Sequence, residues 1–403
     1  MPLALAAMCS AAGPAAQGDK AQTPSSISVV VNEDTGFPTP NALSFYQAAG
    51  TQITYQSSVY TGGFGIQGGF FGTSRLNSVP SLSAPCLYVS DAGSNDIASI
   101  SLSTQQAVGT FTGSQTDDGS SNGISLAVNT SYLYASFTAS NTIGTFAVQS
   151  GCGLSFLGDV SAIGLQGGSV SGMAVNGKML VVAYGDGSIQ SFSVTGGMPV
   201  SNNDLQNSTG YTAPNQNWFA GPSMPSGVDI TQDGRFAIFG DISATSTVEV
   251  SSLTTGKLAT TLAYSLTSVE GTGVDAGAVR LSPDESLLYI ANSESGTVTA
   301  AFFNATTGKI MRGCMSKTLQ GFNFRPWLGS VVTRDTTGTG SVLYVAEFGR
   351  DYLEINHGPA TAIGILTVTS NGKTCTLTEA STSPVQLFYP GALSIGVYPP
   401  RPF

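Results

Sequence analysis

The densest group of side chains that could do chemistry is Glu347, Arg350, Asp351, Glu354 and His357. His357 is the single imidazole of the chain, so any step needing histidine as acid or base must use it. A carboxylate, a guanidinium and an imidazole brought together could hold the oxygens of a substrate and activate water, which makes Glu347, Arg350 and His357 the candidate catalytic set. Arg325 and Trp327, in the preceding segment GFNFRPW, and Asp351 are candidate ligand contacts beside it. The competing reading is a polar loop facing solvent, because neighbours in sequence need not converge in space.

Other chemistries are poorly served. One histidine and no Cys-x-x-Cys argue against zinc, and no metal or other cofactor is expected. Gly63, Gly65 and Gly68 fit a dinucleotide fingerprint, but no helix follows them. Gly119-Ser120-Ser121-Asn122-Gly123 fits G-x-S-x-G without the strand-to-helix turn that a nucleophile elbow requires. Asp117 and Asp118 could meet calcium, yet their spacing departs from an EF-hand loop. Asn129, Asn207 and Asn304 begin glycosylation sequons, which matter only in a eukaryotic secretory pathway.

The elements that must position these residues are short strands. In residues 275–310, an apolar run ends at Ser282-Pro283-Asp284-Glu285, where proline presets a turn. Leu287–Ala291 is apolar on both faces, Thr297–Phe303 is rich in β-branched and aromatic residues, and Thr306-Thr307-Gly308-Lys309 turns the chain into an outer strand. The same grammar returns in VVVNE, LYVSD, LYASF, VVAYGD, AIFGD and LYVAE, and its turn returns as TTGK at 254–257 and SNGK at 370–373. With Asn32, Asp91, Phe137, Tyr184, Asp241, Asn292 and Glu347 taken as equivalent, the units recur 46 to 59 residues apart. Four strands in a repeat of about 40–50 residues describe a propeller blade. Seven copies give an all-β, seven-bladed propeller.

LYIANSESGTVTAAFFNATTGK and LYVSDAGSNDIASIS resemble YVTN-type repeats, which also occur in the lactonase-like propellers that include 6-phosphogluconolactonase. The resemblance covers about residues 25–403 and implies the fold far more than an activity. Ser25–Gly62 supplies three strands and Gly391–Tyr398 reads as an innermost strand, so the two ends are expected to share one blade and close the ring. The polar residues ending the second strands, Asn32, Asp91, Asp241, Asn292 and Glu347, would form an acidic and amide rim near the funnel, or else bond nearby backbone to shape the turns. Lys178, Lys257, Lys309 and Lys373 fall in turns, most of them at the other end. Gly197–Pro225 and Arg350–Ala360 read as long loops on the rim side.

Composition bounds the rest. Charged residues are 9% of the 403, against about 25% for an average soluble domain, and the net charge is −10. That balance argues against nucleic acid and an anionic membrane surface as partners, and no apolar run approaches the roughly 20 residues of a membrane span. Residues 1–24 read as a signal-like or disordered segment before one domain at 25–403, with Cys9 loosely placed for lipid attachment and the location extracytoplasmic. Cys86, Cys152, Cys314 and Cys375 are either buried thiols or two disulfides in one of three pairings. The expected function is a monomeric exported propeller binding a small molecule, glycan or protein on its loop face. A lactonase-like hydrolase is the alternative, and a structural module of the cell envelope the third reading.

Overall fold

The computed structural model describes residues 27–65, 81–83, 85–113, 124–208, 224–242, 247–265, 276–292, 295–320, 327–333, 341–348, 361–387 and 394–398. The regular structure among these residues is almost entirely strand. Blade one begins with β1 (Ile27–Asn32), β2 (Ala42–Ala49) and β3 (Gln52–Tyr60). Blade two is β4 (Ser81–Ser83), β5 (Cys86–Asp91), β6 (Asp96–Ser101) and β7 (Gln106–Phe111). Blade three is β8 (Leu126–Val128), β9 (Tyr132–Phe137), β10 (Thr142–Val148) and β11 (Leu154–Ser161), with a 3-10 turn at Ser150–Cys152. Blade four is β12 (Val170–Asn176), β13 (Met179–Tyr184), β14 (Ser188–Ser193), β15 (Val200–Ser201) and β16 (Gln206–Asn207).

Blade five is β17 (Met224–Ile230), β18 (Phe236–Ile242), β19 (Thr247–Ser252) and β20 (Leu262–Ser265). Blade six is β21 (Ala276–Leu281), β22 (Leu287–Asn292), β23 (Thr297–Asn304) and β24 (Lys309–Met315). Blade seven is β25 (Trp327–Thr333), β26 (Val342–Phe348), β27 (Thr361–Ser370), β28 (Cys375–Glu379) and β29 (Val385–Gln386). The last strand, β30 (Ser394–Tyr398), pairs antiparallel with β1 and gives blade one the order β3-β2-β1-β30. The two ends of the chain therefore share a blade, as expected.

Local sequence accounts for these elements. Second strands such as CLYVSD and LLYIAN are buried at every position, whereas the outer QITYQSSVY is largely exposed. In the TTGK and SNGK turns Gly256, Gly308 and Gly372 adopt φ of 75°, 68° and 80°, a conformation that costs glycine little and other residues more. The stretch expected as one loop from Gly197 opens with β15 and β16, which both pair with β14 and form a split outer strand. Residues 209–223 of that stretch lie outside the described residues.

Successive side chains on a strand face opposite neighbours, and the apolar core follows from that alternation. Leu87 and Val89 pack with Val30 and Leu43 of blade one, while Tyr88 packs with Leu133 and Ala135 of blade three. Seven such clusters occupy the seven contacts between adjacent blades among the described residues. Two disulfides also cross blade boundaries: Cys86–Cys152 joins blades two and three, and Cys314–Cys375 joins blades six and seven. They close loops of 66 and 61 residues, each worth about 4 kcal/mol in lost chain entropy of the unfolded state.

Deleting Ser394–Phe403 removes the strand that seals blade one against blade seven. The thermal midpoint of that truncation should fall by well over 10 °C, and an unchanged melting curve would contradict closure by β30.

Candidate functional site

The ends of the second strands lie at one end of the ring, opposite the turns that carry Lys178, Lys257, Lys309 and Lys373. Asn32, Asp91, Asp241, Asn292 and Glu347 are all 0% exposed, so they lie within the protein rather than on an open rim. Their placement follows strand alternation. Asp91 continues the face of Leu87 and Val89, Asn292 that of Leu288 and Ile290, and Glu347 that of Leu343 and Val345; each face meets the preceding blade.

Blade one departs from the expected equivalence. Val29 and Val31 face blade seven, whereas Val30 faces blade two. Asn32 shares the Val30 face, so the structural counterpart of Asp91 and Glu347 is Glu33. Asn32 serves another junction: its Oδ1 accepts from Asn41 Nδ2 at 2.9 Å, and Asn41 Nδ2 also donates to Asp91 Oδ1 at 2.6 Å. This amide bridge ties blade one to blade two. Counting two residues at a time from Val29 would have found Glu33 in the sequence.

In blades four, five and six the third strand supplies the partner. Tyr184 Oη donates to Gln190 Oε1 at 2.7 Å. Thr247 Oγ1 donates to Asp241 Oδ2 at 3.0 Å, and Asn292 Nδ2 donates to Thr297 and Thr299 hydroxyls at 3.0 and 2.9 Å. Phe137 is accommodated by Gly144, where a methyl group would stand 2.9 Å from its ring. Asp91 faces Asp96 across its hairpin, and burial together with the neighbouring carboxyl holds Asp91 well above the usual carboxylate range.

Glu33 and Glu347, in the adjoining blades one and seven, break this pattern. Both side chains are fully buried, and none of their four carboxyl oxygens has a hydrogen-bond partner among the described residues. Burial raises Glu33 to about 8, with the nearby Ser44 hydroxyl acting in the opposite sense. Burial, then the charge of Glu379, raises Glu347 to about 8. Glu347 fits because residue 364 is glycine: a methyl group there would fall 1.9 Å from Oε1. Both carboxyls are therefore largely protonated at neutral pH, able to donate a proton that an ordinary glutamate has already lost.

Inner strands of four consecutive blades are irregular at this same end. Register shifts lie between Val170 and Gly172, Pro225 and Gly227, Ala276 and Ala278, and Leu328 and Val331. They stand opposite Tyr184, Asp241, Asn292 and Glu347, and bulges of this kind bend strands and re-aim side chains beside functional sites. Trp327 opens β25 and pairs with Phe348. Arg325, Arg350, Asp351 and His357 lie outside the described residues, as do Glu354, Asp117 and Asp118.

The chain belongs to the family described as lactonase, 7-bladed beta-propeller, whose model matches residues 87–383. A Bacteroides fragilis protein with the provisional name 6-phosphogluconolactonase superposes with a TM-score of 0.62 at 15% identity, over 94% of this chain and 99% of that one. A functionally unknown protein from Desulfotomaculum acetoxidans gives 0.61 at 14% identity, over 94% and 100%. Hydrazine synthase of Kuenenia stuttgartiensis gives 0.51 at 14% identity, over 73% and 77%. At such identities these likenesses show the fold alone. Curated proteins gave no match to the sequence. No helix among the described residues is long and apolar enough to cross a membrane.

Two expectations follow from the buried acids. Each glutamate ionises near 4.5 when unfolded and near 8 when folded, so the folded state binds more protons between those values. Stability should decline as pH rises from about 4.5 to 8 and then level off, and Glu33→Gln with Glu347→Gln should flatten the profile of thermal midpoint against pH. Gly364→Ala should cost about 1–3 kcal/mol through overpacking, measured by denaturant unfolding, and Glu347→Ala should recover much of it in the double variant.

Proposed function

We propose that this chain is an exported propeller that opens a lactone ring at the end where its second strands finish, with Glu347 as proton donor. The carrying observation is the fully buried Glu347 carboxyl, held above the usual carboxylate range and without a hydrogen-bond partner among the described residues. In lactone hydrolysis, water adds to the carbonyl carbon and the ring C–O bond breaks. The departing alkoxide oxygen takes a proton, which a neutral carboxyl supplies and later regains from the added water. The product is the open hydroxy acid. Family membership supports the substrate class, and the bulged inner strands at the same end support the position of the site.

Two disulfides between blades and the scarcity of charged residues support export, because such bonds persist in oxidising compartments. A second reading, ligand binding without turnover, is favoured by one observation: Tyr184, Asp241 and Asn292 spend hydrogen bonds within their own blades.

The test is a panel of γ- and δ-lactones offered to the purified full chain, with acid release followed by pH-stat. Hydrolysis of at least one member is expected, and Glu347→Gln should lower kcat by 100-fold or more while the thermal midpoint at pH 7 holds or rises. Full activity in that variant would remove Glu347 from the chemistry. Thermal stabilisation by a lactone without acid release would favour the binding reading.

A further inference from the structure

After β24 the chain crosses the edge of blade six as a strap, residues 316–320. Backbone bonds hold it to that blade: Ser316 N donates to Val298 O and Leu319 N to Gly296 O, both at 2.9 Å. Lys317, Thr318 and Gln320 are exposed, while Ser316 and Leu319 turn inward and are buried. Leu319 reaches the neighbouring blade. Its Cδ1 lies 3.2 Å from the point a methyl group on Gly364 would occupy, the same point that lies 1.9 Å from Glu347 Oε1. Leu319 and Gly364 thus enclose the Glu347 carboxyl from two blades.

Two ties fasten the strap to blade seven. At one end stands the Cys314–Cys375 disulfide, between the outer strands β24 and β28. At the other, Gln320 N meets Glu379 Oε1 and Oε2 at 3.2 and 3.1 Å, with Ser383 Oγ steadying that carboxylate at 2.8 Å. Glu379 is the titratable group that faces Glu347 among the described residues. The disulfides differ in access. Cys86 and Cys152 are 4% and 1% exposed within their cluster, whereas Cys314 and Cys375 are half-buried at the edge of theirs.

We propose that Cys314–Cys375 is a redox latch: a dithiol reductant that opens it frees one of the strap's two ties to blade seven, lets Leu319 move away from Gly364 and admits water and ligand to the Glu347 carboxyl. In the exchange, the reductant's two thiols become its disulfide, and the two electrons and two protons they give up convert Cys314 and Cys375 to thiols. The strap stays bonded to blade six and the core between blades six and seven stays packed, so the change is a local shift of the strap rather than an unfolding. The latch rests on the reading of Glu347 as the functional acid, but its test does not.

Full-length protein is treated with dithiothreitol under native conditions, alkylated and mapped by mass spectrometry. Cys314 and Cys375 should be labelled at least tenfold faster than Cys86 and Cys152. Glutamate labelled with 13C at the side-chain carboxyl then reports the acid directly, its Glu347 signal identified by its loss in Glu347→Gln. That signal should titrate near 8 in oxidised protein. In reduced wild type, in the Cys314→Ser/Cys375→Ser double variant and in Leu319→Ala it should titrate at least one pH unit lower. Simultaneous reduction of both disulfides, or the same Glu347 titration in all forms, overturns the latch. A shifted titration in a protein that opens no lactone in any form leaves the latch standing and removes the lactone reading.

Discussion

A sheet with apolar residues on both faces cannot leave either face to water, and each blade here depends on two neighbours for that reason. Val345 and Leu343 need blade six, Tyr344 and Ala346 need blade one, and neither requirement can be met by blade seven alone. Each buried aliphatic or aromatic side chain contributes about 1.5–3 kcal/mol relative to exposure, so an unclosed ring would forfeit one whole interface. The shared blade of β1 and β30 removes that loss. Tyrosines reinforce the same contacts with polar tips: Tyr134 Oη reaches Gly197 O at 2.9 Å, and Tyr344 Oη reaches Gly50 O at 3.2 Å, each in the next blade.

The constraint also decides where polar residues can stand. A side chain ending a second strand is caught between two blades as the sheets finish, and it must find a partner there or remain unsatisfied. Gln190, Thr247 and Thr299 are such partners, one strand further out in the same blade. Among the described residues neither Glu33 nor Glu347 has a partner within hydrogen-bond distance, and a buried acid without a donor costs stability that an apolar residue would have spared. Departures from local satisfaction collect at functional sites, and these two occupy the adjoining blades where the ring is sealed. The third-strand glycine at 364 belongs to the same arrangement, since any side chain would displace the Glu347 carboxyl.

The repeat was legible because each second strand is a short apolar run ended by a polar residue, and the TTGK and SNGK turns mark the strand that follows. The share of β30 in blade one was legible from a count of strands at each end. Equivalence in blade one was misassigned to Asn32: two adjacent polar residues end that strand, and only the facing of Val29 and Val31 toward blade seven selects Glu33. The pairing of cysteines was illegible, because Cys86 meets Cys152 and Cys314 meets Cys375 through packing between blades that no spacing encodes. Leu319 carried no signal in the sequence at all. It is one leucine in a polar stretch, and it matters through what lies across the interface.

The chemistry proposed for this end of the ring requires Glu347 to stay protonated at neutral pH inside the contact between blades six and seven. Infrared difference spectroscopy of wild type against Glu347→Gln at pH 6.5 tests it most directly, because a protonated carboxyl has a carbonyl stretch of its own. A carboxylic-acid band should be present in the wild type and lost in the variant. A carboxylate band in its place would contradict it.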